Sequence, residues 1–242
     1  MALVLFTDFG SNDLYVGQLE AVLHRDAPGV AVIHLLHEAP MFNPRASAHL
    51  LAALVSRMPA GHVYLAVVDP GVGGERDAVA IEADGNWFVG PDNGLLSVVA
   101  ARATAFRPWR VTHQPAEMSV SFHGRDLFAP VAAAIARNGF PGDLVTSTDA
   151  LAASLDAGDL AEVIYLDHYG NAFTGLRASA IPTSRRLAVR GREIGHGSVF
   201  SAVAPGIPFW YENSVGLVEI ALNGGSAVRL LSLDIGEAVA WA

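Results

Sequence analysis

Apolar runs broken by polar turns divide the chain into two stretches of different rhythm. In the first, residues 2–6 form a short continuous apolar run that reads as a buried strand. Residues 16–25 follow with helical spacing, and residues 30–35 read as a second strand. The Ala/Leu-rich stretch 45–58 reads as a helix stopped by Pro59-Ala60-Gly61. A third strand over 62–68 ends at the loop Asp69-Pro70-Gly71-Val72-Gly73-Gly74. Asp84-Gly85, between apolar runs at 77–82 and 87–89, predicts a hairpin. Gly90-Pro91-Asp92-Asn93-Gly94 is a compact turn into a helix over 95–102; a strand at 109–112 and a helix over 127–137 complete the series. Strands alternating with helices predict an α/β domain, a mainly parallel sheet with helices on both faces.

After about residue 150 the rhythm changes. Residues 147–158 are polar and Ala/Asp-rich, which fits a linker or a short helix. Beyond residue 161, β-like runs at 163–166, 186–189, 217–222, 227–231 and 238–241 are separated by Gly, Pro, Asn and Ser. They predict a smaller all-β, barrel-like domain. The expected organisation is therefore an N-terminal α/β domain over residues 1–150 and a C-terminal β-barrel domain over residues 151–242.

Composition narrows the picture. Of 242 residues, 52% are hydrophobic and 16% charged, which suits a sheet covered on both faces or sizeable subunit interfaces. No apolar run approaches the roughly 18 residues that a membrane helix needs, so no membrane partner is expected. Residues 1–6 lack the basic start and the length of a signal peptide. The chain has no cysteine, which removes disulfides, thiolate metal sites and a cysteine nucleophile and fits a reducing cytoplasm. A net charge of −9, with 15 scattered Lys and Arg residues, argues against a nucleic-acid partner.

Ligands of a parallel α/β sheet gather at the carboxyl ends of its strands. Three polar loops are expected at that rim: Thr7-Asp8-Phe9-Gly10-Ser11-Asn12-Asp13, residues 69–76, and Ser121-Phe122-His123-Gly124-Arg125-Asp126. If they share one face, Asp8, Asp13, Asp69, Arg76 and His123 converge. Read singly, each also fits a structural role. Asp8 and Asp13 suit turn and helix caps, Asp69-Pro70 a turn start, Arg76 a surface cation, and His123 a cap or packing group. Gly71-Val72-Gly73 begins like a dinucleotide fingerprint, but Arg76 stands at the third glycine position. No Gly-x-x-x-x-Gly-Lys-Ser/Thr loop and no His-Glu-x-x-His stretch occurs, and His123 with three Asp residues is a weak metal set.

The ordered set of motifs is more telling than any one residue. Thr7-Asp8-Phe9-Gly10 with Asp13-Leu14-Tyr15-Val16-Gly17, Val68-Asp69-Pro70-Gly71-Val72-Gly73, Gly90-Pro91-Asp92-Asn93-Gly94 and Phe122-His123-Gly124-Arg125-Asp126 open it. Asp167-His168-Tyr169-Gly170-Asn171 and Asn213-Ser214-Val215-Gly216, then Glu219-Ile220-Ala221, continue it. Together they resemble the S-adenosyl-L-methionine hydroxide adenosyltransferases, hydrolases related to fluorinase and chlorinase, over essentially the whole chain. The resemblance implies an α/β domain followed by a β-barrel domain, and a homotrimer with active sites at subunit interfaces. It implies cleavage of S-adenosyl-L-methionine by water to adenosine and L-methionine, with no cofactor and no metal. Asp69, Arg76 seven residues later, and His123 match the family's water-handling residues. The halogenating branch has Tyr at the positions of Asp69 and His123, and fluorinase has a halide-binding Ser where this chain has Gly124.

By the same resemblance Asp8 takes the ribose hydroxyls, and Phe42, Phe122, Tyr169 and Phe200 wall the adenosine. Asn171 reads the adenine edge, with a backbone contact at Ala227. Asp13, Asp167 and Ser214 lie around the methionine end, and Ser121 keeps the hydroxyl of a more usual Thr. Val215 replaces the fluorinase Arg that holds the methionine carboxylate; Glu20-Ala21 and Asn43-Pro44 also depart from the common pattern. The competing readings are halide-dependent cleavage to 5′-halo-5′-deoxyadenosine, a non-catalytic adenosine or S-adenosylmethionine binder, and a metal-dependent hydrolase built on Asp8, Asp69 and His123.

Overall fold

A computed structural model describes residues 1–242, apart from the side chain of Ala180. The chain divides into two compact units, Met1–Ala48 with Met58–Ala157, and His49–Arg57 with Gly158–Ala242. Among the described residues no helix is long and apolar enough to cross a membrane.

The first unit alternates strand and helix. It runs β1 (Leu3–Thr7), α1 (Leu14–Asp26), β2 (Val32–Leu36), α2 (Pro44–Val55, which straddles the division) and β3 (Val63–Val67). The hairpin of β4 (Ala78–Ala83) and β5 (Asn86–Pro91) follows, then α3 (Ser97–Arg102), β6 (Phe106–Val111), α4 (Ala129–Asn138) and β7 (Val145–Ser147). The seven strands form one sheet in the order β2-β1-β3-β5-β4-β6-β7. The first four are mutually parallel, and β4, β6 and β7 extend them antiparallel. The hairpin forms where Asp84-Gly85 predicts it, with both residues at positive φ (45° and 79°), as a tight two-residue turn requires.

β1 and β3 are buried along their whole length, which is why their sequences are continuous apolar runs rather than alternating ones. On one face, Leu3, Leu5, Leu65 and Val67 pack with Leu19 and Leu23 of α1 and Val131 and Ile135 of α4. Asp13 starts α1 by accepting the Leu14 N–H, while His24 and Arg25 occupy the last turn, where the helix dipole favours cations. The helix read over 127–137 has an unexpected preface, a π-helical turn at Gly124–Phe128.

The 147–158 stretch contains no helix. It is tied down by the Gly-Pro-Asp-Asn-Gly turn: Asp92, itself buried, accepts N–H bonds from Ala152 (2.7 Å) and Ala153 (3.2 Å), and Ser97 Oγ accepts the Leu155 N–H (3.0 Å). Asp92→Ala removes two charge-assisted acceptors at once. It should cost about 1–3 kcal/mol, read as a lower urea midpoint with an unchanged slope.

The second unit is built from antiparallel sheets. One has the order β12 (Pro208–Glu212), β13 (Leu217–Leu222), β9 (Ala172–Arg177), β8 (Leu160–Leu166). The other is β11 (Arg192–Ile194), β10 (Leu187–Val189), β14 (Val239–Trp241). Single bridges, Glu162 to Ala238 and His196 to Trp210, join the sheets at both edges, so the ring closes in barrel-like fashion. Val163, Leu187, Trp210, Val218 and Ile220 fill its interior. Residues 227–231, expected as a strand, form the short helix α5 (Ala227–Leu231) instead. The Ser226 side chain accepts the Arg229 N–H, an N-cap that overrides the β-like apolar run.

Candidate functional site

At the carboxyl ends of β1 and β3 the three polar loops of the first unit meet. They enclose a cavity of about 340 Å³ whose wall includes Asp8, Asp13, Phe42, Asp69, Ser121, Phe122, His123 and Gly124. Each loop is held by its own chemistry. Asp13 caps α1, the Asp69 loop turns through a Val72 N–H bond to the Asp69 carbonyl, and Phe122 packs edge-on to Phe9 and Tyr15. Phe9, Tyr15, Met41 and Val72 also line the cavity; the first two and Val72 stand in the sequence motifs without an assigned role, and Met41 lies outside them.

Arg76 joins the other two polar groups. Its Nε donates to both Asp69 oxygens at 3.0 Å, its Nη2 also donates to Asp69 Oδ2, and its Nη2 reaches His123 Nδ1 at 3.0 Å. The pair is well shielded, with side-chain exposures of 12% for Arg76 and 4% for Asp69. Phe128, carried by the π-helical turn, lies under the guanidinium, 5.2 Å from ring centre to Cζ. The same turn starts at His123, so one local irregularity positions both the imidazole and the ring beneath its partner.

This geometry fixes a tautomer. A guanidinium has donors only, so His123 Nδ1 must be the acceptor, and the proton of the neutral ring sits on Nε2. Burial holds the His123 pKa below the ordinary histidine value, and the Arg76 charge pushes the same way; Asp69 and Asp126 oppose them. The ring is therefore a neutral donor through Nε2 at neutral pH.

Asp8 sits opposite in character. Burial pushes its carboxyl up from the usual range, the Phe42 N–H and its own backbone N–H pull it back, and Asp69 nearby adds a like charge. The Phe42 N–H bond to Asp8 Oδ2 is 3.1 Å. Phe42 itself adopts φ 56°, a left-handed conformation rare for an aromatic residue, with its side chain largely exposed. At Gly124 a side chain would meet resistance, since an added Cβ would lie 3.2 Å from the Phe9 ring.

The second unit brings together another set. Asp167, Tyr169, Asn171, Phe200 and Ser214 line a cavity of about 680 Å³ with Phe173, Tyr211, Asn213, Glu219 and Arg229. Asn171 is buried; its Nδ2 donates to Asp167 Oδ2 at 3.0 Å, and its Oδ1 has no hydrogen-bond partner. Phe200 stacks edge-on to Phe209 and Tyr211. Ala227 does not line this cavity: it is fully buried at the start of α5, and Gly224 and Gly225 supply the nearby wall. Among the described residues no group of three or more His, Asp or Glu side chains is placed to hold a metal ion.

Comparison with known proteins agrees on one family. The SAM hydroxide adenosyltransferase N-terminal domain matches residues 3–144, and the C-terminal domain of the same family matches residues 161–240. A relative from Salinispora arenicola is 39% identical, with 96% of this chain and 94% of the relative covered. One from Thermus thermophilus is also 39% identical, with 96% of each covered. Both are named (R)-S-adenosyl-L-methionine hydrolase. A crystal structure of an uncharacterized conserved protein from Thermotoga maritima superposes with a TM-score of 0.90 at 28% identity, covering 99% of both chains.

Proposed function

The chain belongs to the S-adenosyl-L-methionine hydroxide adenosyltransferase family, and from that premise we propose that it hydrolyses S-adenosyl-L-methionine to adenosine and L-methionine. The named relatives point to the (R) epimer at sulfur as the substrate. The observation that carries the reading at residue level is that Asp69 and His123, in the wall of a cavity that also holds Asp8, are joined by Arg76, which is not itself part of that wall.

The chemistry asks little of the leaving group. The sulfonium departs as a neutral thioether, taking the electron pair of its bond to C5′, so no acid is needed. Water is the weak partner, and it must be held in line with that bond. His123 Nε2–H donates to the water oxygen and fixes its position. It cannot take the proton, because Nε2 already carries one and Nδ1 is committed to Arg76. Asp69 keeps lone pairs beyond those used by Arg76, lines the cavity, and accepts the proton. A weak base suffices there, since water that has begun to bond to carbon is strongly acidic. Arg76 holds base and donor at a fixed separation.

Asp8 takes the ribose hydroxyls, with Phe42 and Phe122 beside the sugar. Asn171 takes the adenine amino group on its free Oδ1, between Tyr169 and Phe200. Asp13, Asp167 and Ser214 serve the methionine end, and Ser121 the same pocket. These groups fall in two cavities, and neither holds all of them. We take the active form to be a homotrimer in which subunits complete each other's sites. The exposed apolar rim of Met41, Phe42 and Val72 suits a covering partner surface. A domain division at 1–150 and 151–242 and a cytoplasmic location complete the reading; the cysteine-free chain fits a reducing compartment.

The test is product analysis with each sulfur epimer, with and without chloride, fluoride or a chelator. Adenosine and methionine in equal amounts, independent of halide and chelator and faster from the (R) epimer, are expected. Formation of 5′-halo-5′-deoxyadenosine, or no turnover at high enzyme concentration, would overturn the proposal.

A further inference from the structure

The second-unit cavity contains a buried carboxyl that the scheme above does not use. Glu219 lies on β13, directly opposite Tyr211 of β12 in the antiparallel register. Tyr211 Oη donates to Glu219 Oε1 at 2.6 Å, and both residues line the cavity. Burial pushes the Glu219 carboxyl up from the usual range. The Tyr211 hydroxyl and the Asn213 amide pull it back, Asp167 adds a like charge, and the Asn171 amide also faces it.

An asparagine alone cannot tell an amino group from a carbonyl, because its amide turns over and offers either end. Asn171 is not free to turn. Asp167 accepts both its backbone N–H, at 2.8 Å, and its Nδ2, at 3.0 Å. Turning the amide over would set Asn171 Oδ1 against the Asp167 carboxylate, and against the Glu219 carboxyl that the amide also faces. The amide therefore rests with Oδ1 as an unpaired acceptor. A ligand carbonyl brought to Asn171 Oδ1 would meet an acceptor with the Asp167 and Glu219 carboxyls beside it, and a buried unpaired acceptor is costly.

We propose that Glu219 is a specificity-determining residue: with Asp167 it locks Asn171 as an acceptor, so that a 6-amino purine is taken and a 6-oxo purine refused. The proposal rests on the adenosine reading above. Glu219 stands in the motif Glu219-Ile220-Ala221, where the sequence assigns it no role; its role here is positioning, since it acts through the Asn171 amide.

Calorimetric titration of the intact protein with adenosine, purine riboside and inosine tests it. Wild-type affinity should fall in that order, with adenosine favoured over inosine by about a hundredfold or more. Glu219→Gln keeps the shape and an acceptor for Tyr211 but adds an N–H donor. It should narrow the adenosine-to-inosine ratio by about tenfold, mainly by tighter inosine binding. Equal weakening of all three nucleosides in the variant would mark Glu219 as purely structural and overturn the proposal. So would wild-type protein binding inosine as well as purine riboside, a result that needs no variant. If wild-type protein binds none of the three, the adenosine reading fails and this proposal with it.

Discussion

Asp69→Asn is expected to lower kcat by about 10²–10⁴-fold, the range typical of a lost general base, while the KM for S-adenosyl-L-methionine changes much less. The carboxylate meets Arg76 through both oxygens, and the amide that replaces it can accept at one end only. The other end would press an N–H against the guanidinium. Arg76 would then keep its charge in a largely buried position with a poor partner, and its bond to His123 Nδ1 would lose its anchor. Two effects are thus combined, loss of the proton acceptor and release of the positioning cation. Arg76→Lys separates them. A lysine cannot serve Asp69 bidentately and His123 at once, yet it leaves the base in place, so it should retain more activity than Asp69→Asn. Single-turnover measurement of adenosine release, with thermal melting as a control for folding, gives the comparison. Wild-type kcat in Asp69→Asn would remove Asp69 from the mechanism.

The rim of the first sheet was legible because strand and loop alternate there in the simplest way. β1 and β3, which the runs at 2–6 and 62–68 predict, are fully buried, and the polar loops after them meet where a parallel sheet ends. What joined the loops was not legible. Nothing in Gly124-Arg125-Asp126-Leu127-Phe128 announces a π-helical turn, yet that turn sets both His123 and the ring beneath Arg76. The tautomer of His123 follows only from a contact spanning 47 residues.

The second unit was harder for physical reasons. β9 contains Gly175 and β12 begins at Pro208, residues that ordinarily break strands, so neither stood out among the β-like runs. Glu219 is harder still. All six residues of β13 are buried, so the alternation that would mark a polar residue as inward or outward is absent. Only the cross-strand pairing with Tyr211 reveals that its carboxyl belongs to a polar cluster. Residues 227–231 show the complementary error, since a five-residue apolar run fits strand and helix alike until its cap is seen.

His123 offers the sharpest separation of roles. If its work is to donate from Nε2 while accepting from Arg76 at Nδ1, glutamine can do the same with its two amide ends, and alanine cannot. His123→Gln should therefore keep kcat within about tenfold of wild type, and His123→Ala should lose about 10²–10³-fold. A general-base histidine predicts otherwise, because the amide takes up no proton and both variants would fail alike. The pH profile gives an independent reading. Protonation would place a hydrogen on Nδ1 against the Arg76 N–H and break the network, so activity depends on the neutral ring. Its pKa lies below the ordinary 6.5 through burial and the Arg76 charge, so kcat should stay level through that pH and fall only below it. Stability follows the same sign. Between 6.5 and the lower folded-state value the unfolded chain binds a proton that the folded chain refuses. The contribution is thus complete above this window and is lost as the pH falls through it. His123→Gln should abolish that acid-side loss of both activity and stability, measured by kcat and by urea midpoints from pH 5 to 8. An acid limb unchanged in the variant would assign the titration to another group, with Asp8, raised by burial, the first to examine.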